Sequence, residues 1–309
     1  MLKNVLKSNK YKDRDHTKMN HEEYQYLNLT NDILKEGTKE KGRNGFTKCI
    51  YGSAAHFSLE DGKIPILTTK KTAWKTCLKE LLWFIKGQTD NKILNEQKVH
   101  IWDGNSTPEF MESRGLTNYE EGDLGPLYGF QWRNFNADYQ GCSHDYQDSG
   151  VDQLQNVIEC LKDPDQRTSR RLVITAWNPC QMDEGVLPPC HVLFQFNVID
   201  GNKLSCSLYQ RSNDISLGTP FNIASYSFLT HLIAKHCDLE PYEFIHYMGN
   251  CHIYEEHLDI IKEQLTREPY DFPTLTILNK RENINDYTID DFKINDYNHH
   301  DQIKMKMVA

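Results

Sequence analysis

The sequence contains no Cys-x-x-Cys pair, no internal repeat and no low-complexity tract. It also lacks an apolar run of the roughly 18 residues that a membrane helix needs, so no transmembrane segment is expected. Nine cysteines, an odd number at irregular spacing, fit neither a disulfide framework nor a zinc site. Reduced thiols, no bound metal and a cytoplasmic setting are the expectation. The first twenty residues, MLKNVLKSNKYKDRDHTKMN, lack the apolar core of a signal peptide and carry Asp13 and Asp15, which a mitochondrial presequence usually avoids. Residues 1–20 read as a polar, poorly ordered arm. Basic charge is short as well: 35 Lys and Arg stand against 44 Asp and Glu, a formal net charge of −9. General nucleic-acid binding needs a basic surface that releases counterions, and this chain has none to spare. Any phosphate must be held by a local group of arginines.

What is present suits one α+β domain over residues 21–309, with a mixed β-sheet core flanked by helices. Tyr26, Leu29 and Ile33 give a helical stripe from Asn20, a candidate N-cap, to Glu36, with Gly37 past the end. KCIYGSAAHFSL and IPILT read as strands, and KTAWKTCLKELLWFIKG as an apolar helix closed by Gly87. Residues 103–150 read as a long, structured, loop-rich segment, which in a compact chain is usually functional. Next come a helix at VDQLQNVIECLKD, a strand at RRLVITAW and a hairpin at HVLFQFNVIDGNKLSCSLYQ. PFNIASYSFLTHLIAKHCDL is a long apolar helix with Pro220 in its first turn. EFIHYM reads as a strand, IYEEHLDIIKEQL as a helix and TLTIL as a strand.

The chemistry concentrates around VLPPCHVLFQF, where two prolines fix the chain before Cys190 and His191 comes directly after it. A free thiol titrates near ~8.5 and becomes a nucleophile at neutral pH only when cations or a helix N-terminus favour the thiolate. Arg211, Arg170 and Arg171 are the candidate cations. The other eight cysteines read as packing. An adjacent arginine pair is most often a solvated face; with Arg211, Ser212 and Arg43 of KGRNGFT it would form a monophosphate pocket. Asn222 is either a first-turn amide or a reader of a pyrimidine edge, since one carboxamide matches both O4 and N3–H of uracil. Aspartate there would suit cytosine. Glu80, inside an apolar helix, either faces solvent or is buried with a raised pKa, which marks a general acid. His252 and Tyr254, alternating as on a strand, would reach a sugar hydroxyl, though each taken singly is more often structural.

Together the strings TTKK, ELLWFIKG, IWDGN, EEGDLGPLYGFQWR, SRRLVITAWNP, LPPCH, LSCSLYQRS, D-x-x-LG-x-PFNIASY, HIYEEH and KMKMVA resemble the thymidylate synthase family. The resemblance covers about residues 21–309 and is to the monofunctional eukaryotic or large-virus type, with no dihydrofolate reductase segment attached. It implies a homodimer formed through the sheet, and reductive methylation of dUMP to dTMP with 5,10-methylenetetrahydrofolate as one-carbon and hydride donor. Cys190 would add to uracil C6. Glu80 would act through water in the proton transfers, with Tyr128 and His191 in its surroundings. Asn222 would read the base, His252 and Tyr254 would hold the ribose, and Gln210, Asn213 and Asp214 would lie at the nucleotide. Arg43, Arg211 and Ser212 would bind phosphate from one subunit while Arg170 and Arg171 reach in from the other. Lys70, Ile101, Trp102, Asn105, Asp214, Leu217, Gly218, Phe221, Val308 and Ala309 would serve the folate, the last two closing as a lid. The chain departs from the family pattern at the loop RNGFT, at Asn250 and Cys251 of GNCHIY, and at Asn213.

Two other readings compete. A dUMP or dCMP hydroxymethylase of the same fold would add water where the synthase adds hydride; Asn222 disfavours the cytosine version, and Trp102 with KMKMVA favours water exclusion. A catalytically silent RNA-binding regulator would keep the fold without the chemistry, which the joint presence of Cys190, Glu80, Asn222 and Arg211 opposes.

Overall fold

A computed structural model describes residues 21–308; the arm at 1–20, the candidate cap Asn20 and the lid residue Ala309 lie outside the described residues. Helix α1 (Tyr24–Glu36) leads into the hairpin β1 (Thr38–Gly42) and β2 (Gly45–Ser58). Tyr26, Leu29 and Ile33 form its buried stripe, as their spacing predicts. At its start Glu23 does not cap the helix. Its carboxylate instead accepts from the backbone N–H and the hydroxyl of both Thr68 and Thr69, pinning the chain that leads to Lys70.

The middle of the chain forms α2 (Trp74–Ile85), α3 (Asn91–Glu96), α4 (Pro108–Ser113), α5 (Tyr128–Arg133) and α6 (Gln153–Lys162). Then come β3 (Val173–Thr175), β4 (His191–Ile199), β5 (Lys203–Asp214), α7 (Gly218–His236) and β6 (Glu240–Tyr254). The last elements are α8 (Ile261–Gln264) and a small hairpin of β7 (Thr274–Ile277) with β8 (Phe292–Asn295). No helix among the described residues is long and apolar enough to cross a membrane.

Six strands form one mixed sheet in the order β1-β2-β6-β5-β4-β3. Only β5 and β6 run parallel, so their connection must cross over one face of the sheet, and α7 makes that crossover. Its surface is apolar almost all round, and it is buried over nearly its whole length against the sheet and α2. The α+β reading with a mixed sheet and flanking helices matches this architecture.

Three local expectations are corrected. IPILT is not a strand: Ile64, Ile66 and Leu67 are buried, but the segment pairs only through a bridge at Lys63–Thr274 and an Ile64 N–H to the Pro273 carbonyl. Residues 253–265 are not one helix, because Ile253 and Tyr254 complete β6 opposite Lys48 and Thr47. The rest of that stretch is a single 3-10 turn and the short α8. The strand at RRLVITAW shrinks to Val173–Thr175, the part that has a partner in β4.

One close contact sets the spacing of the site. A Cβ on Gly129 would stand 2.3 Å from the Phe84 carbonyl oxygen, so α5 lies directly on the backbone of α2. Tyr128, one residue earlier, has φ of +24°, a strained value for a bulky residue, and packs on Phe84 of α2 with ring centroids 5.0 Å apart. Gly129→Ala is expected to destabilise the protein by about 1–3 kcal/mol and to lower activity by moving Tyr128. Urea unfolding and a rate assay check both effects, and wild-type stability would contradict the packing argument.

Candidate active site

Cys190 lies at the junction of the Pro188–Pro189 turn and β4. Its backbone N–H donates to the Tyr128 hydroxyl (2.9 Å), and its carbonyl accepts from Arg211 N (3.0 Å). The prolines have no N–H to offer a strand ladder, and their carbonyls are taken by Arg211: Nε donates to Pro189 O (2.9 Å) and Nη2 to Pro188 O (2.8 Å). Nη2 also stands 3.8 Å from Cys190 Sγ. Burial pushes the thiol above its ordinary value, and the Arg211 charge, the Tyr128 hydroxyl and, more weakly, Arg43 pull it back. In the single chain burial wins, so the expected thiolate needs more positive charge or a ligand. A Cβ on Gly249 would meet the Arg211 carbonyl at 2.7 Å, so the glycine lets β6 pass close beside this residue.

Glu80, on α2, belongs to the same cluster through Tyr128 and Trp102. Trp102 Nε1 donates to its Oε1 at 2.8 Å, yet desolvation dominates and raises the carboxyl pKa to about 7. A carboxyl with that value exchanges protons readily near neutral pH. Tyr128 is buried close to both Glu80 and Cys190, with its own pKa pushed well up by burial, so its hydroxyl stays protonated.

A chain of amides and imidazoles runs beside this cluster. Gln210 Nε2 donates to the Ser212 carbonyl (3.0 Å) and to Asn222 Oδ1 (2.8 Å), which fixes the polarity of both amides. Asn222 Nδ2 therefore donates to His191 Nε2 (2.8 Å), and His246 Nε2 donates to Gln210 Oε1 (2.9 Å). Burial lowers the pKa of His191 to about 4 and that of His246 to about 3. Both rings are neutral at pH 7, as the chain requires. Asn222 keeps one N–H and one oxygen lone pair uncommitted.

Other expected residues fall into three groups. Ser212 and Asp214 lie on β5 opposite Asn250 and His252 of β6, with Tyr254 two residues further on. His252 Nδ1 meets Asn250 Oδ1 at 2.9 Å, and Arg43, exposed on the β1–β2 turn, lies close enough to act on Tyr254 and Cys190. Ile101, Trp102, Leu217, Gly218, Phe221 and Val308 are partly exposed, while Asn105 is buried with no partner for Nδ2. The chain before Val308 is fastened by Arg267 to the Asp301 carbonyl, by buried Ile303, and by His257 Nε2 to the Lys306 carbonyl (2.8 Å).

Two expected side chains are committed elsewhere. Lys70 is buried and its ammonium donates to the Ser216 carbonyl, with desolvation lowering its pKa to about 8. Asn213 is fully buried and donates to the Gln210 and Asn250 carbonyls. Neither side chain is open to a ligand. Arg170 and Arg171 are exposed and remote from their own chain's thiol. Leu172 O accepts from Phe196 N, which sets that end of β3 on the order of 15–20 Å along β4 from Cys190 at ~3.3 Å per residue. His246, Gly129, Gly249 and Trp177, whose ring lies 5.6 Å from the Arg211 guanidinium carbon, are not singled out by the sequence. Only the AWNP string hints at Trp177. Among the described residues no cluster of His, Cys, Asp and Glu could hold a metal ion.

The thymidylate synthase family model matches residues 24–309. The chain belongs to the thymidylate synthase family. It is 50% identical to the thymidylate synthase of Homo sapiens over 291 residues, 94% of this chain and 91% of the relative. It is 49% identical to the bifunctional dihydrofolate reductase-thymidylate synthase of Leishmania major and 50% identical to that of Plasmodium chabaudi, again over 94% of this chain. Of those bifunctional relatives it spans 56% and 49% of the length, about half.

Because the folded-state pKa of Glu80 lies above the ordinary 4.5, the folded state prefers the neutral carboxyl, and stability is lost as pH rises from that value through about 7. Glu80→Gln removes this cost and keeps an acceptor for Trp102. Its stability gain over wild type should be small at pH 5 and about 1–3 kcal/mol at pH 8, while activity falls. Urea titrations at the two pH values check this, and a gain independent of pH would contradict the buried, titrating carboxyl.

Proposed function

We propose that the protein is a thymidylate synthase that converts dUMP to dTMP with 5,10-methylenetetrahydrofolate. The observation that carries this reading is the meeting of Cys190, Arg211 and the polarised Asn222 in one cluster. The Cys190 sulfur adds to C6 of the uracil, and the negative charge that develops toward O4 is met by the free Asn222 N–H while its oxygen accepts from N3–H. Turning that amide over for cytosine would break both its bonds to Gln210 and His191. The folate, when bound, supplies the one-carbon unit and the hydride and leaves as dihydrofolate. Asp214, the apolar edges of Trp102, Leu217 and Phe221, and the unpartnered Asn105 Nδ2 suit a flat, polar-rimmed ring. Glu80, with a pKa of about 7, relays protons at the pyrimidine through water. His252 and Tyr254 flank the ribose, and the chain through Val308 and Ala309 closes over the site against water.

The same reading makes the active unit a homodimer joined through the sheet. Tyr209 and Tyr247, adjacent across β5 and β6, are 43% and 45% exposed; such a pair of exposed aromatic rings favours a covering partner. Arg170 and Arg171, too far from their own thiol, then complete the phosphate pocket of the other subunit beside Arg43, Arg211 and Ser212. Their charge would supply what the single chain lacks to ionise Cys190. A cytoplasmic setting is proposed from nine free cysteines.

Incubation with dUMP and methylenetetrahydrofolate should yield dTMP and dihydrofolate in equal amounts; hydroxymethyl-dUMP with tetrahydrofolate would overturn the synthase reading. Mixing inactive Cys190→Ala with inactive Arg170→Ala subunits should restore about a quarter of wild-type activity, since statistical pairing gives half hybrids with one whole site each. No recovery would contradict the shared pocket.

A further inference from the structure

Arg211 carries the charge nearest the thiol, and no carboxylate among the described residues forms an ion pair with it. Neutral groups hold it instead. Of its five N–H donors, Nε goes to Pro189 O, and Nη2 serves Pro188 O and Cys190 Sγ. Nη1 has no partner among the described residues. The carbonyls fix one edge of the guanidinium, and the half-buried Trp177 ring covers it, with 5.6 Å from Cζ to the ring centroid. The backbone at Trp177 is anchored, since the main-chain N–H donates to Thr175 Oγ1 at 3.1 Å just past β3. An indole face attracts a cation through its quadrupole without adding a negative charge. A carboxylate in that place would orient Arg211 equally well but would raise the thiol pKa and repel a phosphate.

We propose that Trp177 is a positioning residue for the Cys190 chemistry: its ring holds Arg211 with Nη2 on the sulfur and Nη1 open to an anionic ligand. The inference rests on the reading of Cys190 as nucleophile and assigns to Trp177 a role exerted only through Arg211. Its signature is the ionisation of Cys190, which a purely structural tryptophan would leave in place.

The test compares wild type, Trp177→Leu, Trp177→Phe and Trp177→Tyr by the pH dependence of Cys190 alkylation with iodoacetamide. The modified Cys190 peptide is quantified by mass spectrometry, because eight other thiols are present, and thermal melts are run alongside. The midpoint for Trp177→Leu should move to higher pH, with alkylation at pH 7 about three- to tenfold slower. Phenylalanine and tyrosine should fall between leucine and wild type. A folded leucine variant with the wild-type midpoint overturns the proposal, as does an equal displacement by leucine and phenylalanine. If the leucine variant does not fold, the aromatic series decides, and identical midpoints for Trp, Tyr and Phe overturn it. A wild-type Cys190 no more reactive than the other thiols would instead overturn the nucleophile reading; a reactive Cys190 with unmoved variants defeats only the role of Trp177.

Discussion

The site depends on the opposition between burying the Cys190 sulfur and ionising it. Burial shields the sulfur from water, but it also raises the thiol pKa, and in the single chain that effect outweighs the pull of Arg211. Arg211 is the main counterweight, and its placement comes from the sequence around it. Two prolines leave carbonyls outside any ladder, β5 ends beside them, and a glycine at 249 lets β6 pass behind. Each of these features brings an uncompensated charge to the half-buried thiol at the start of β4. Arg170 and Arg171, just before β3, stand too far away to act on the thiol of their own chain, and the proposed dimer would bring them to the other subunit's thiol.

The proposed selection of the base would rest on a different device. The Ser212 carbonyl fixes Gln210, Gln210 fixes Asn222, and Asn222 fixes the tautomer of His191. Burial keeps both histidines of the chain neutral at pH 7, so the polarity does not reverse with modest changes in pH. One backbone oxygen therefore determines which way the Asn222 amide faces. Glu80 is tuned in the opposite direction: the same desolvation that neutralises the histidines brings this carboxyl to about 7, where it can both take and give a proton.

Much of this is legible in the amino-acid sequence. The long apolar helix α7, the β4–β5 hairpin and the stripe of α1 all come from local periodicity, and the motif strings bring Cys190, Glu80, Arg211 and Asn222 into one hypothesis. Periodicity fails where pairing partners decide. IPILT is apolar enough for a strand but has no neighbour along its length, and Ile253 and Tyr254 look helical until β2 claims them. Motif matching likewise says nothing of where a side chain is spent. Lys70 sits in the recognisable TTKK string and Asn213 between two others, yet both are buried on backbone carbonyls. Trp177 and Gly129 act by contact with residues distant in the chain, which no local pattern encodes.

The proposed covalent role of the Cys190 sulfur is tested most directly by the mass of the chain after incubation with 5-fluoro-dUMP and methylenetetrahydrofolate. Fluorine at C5 cannot leave as the proton does, so the reaction stops with the nucleotide and the one-carbon carrier attached. One such adduct per chain, mapped to the Cys190 peptide, is the predicted result. An unmodified chain, or an adduct on any of the other eight cysteines, would contradict it.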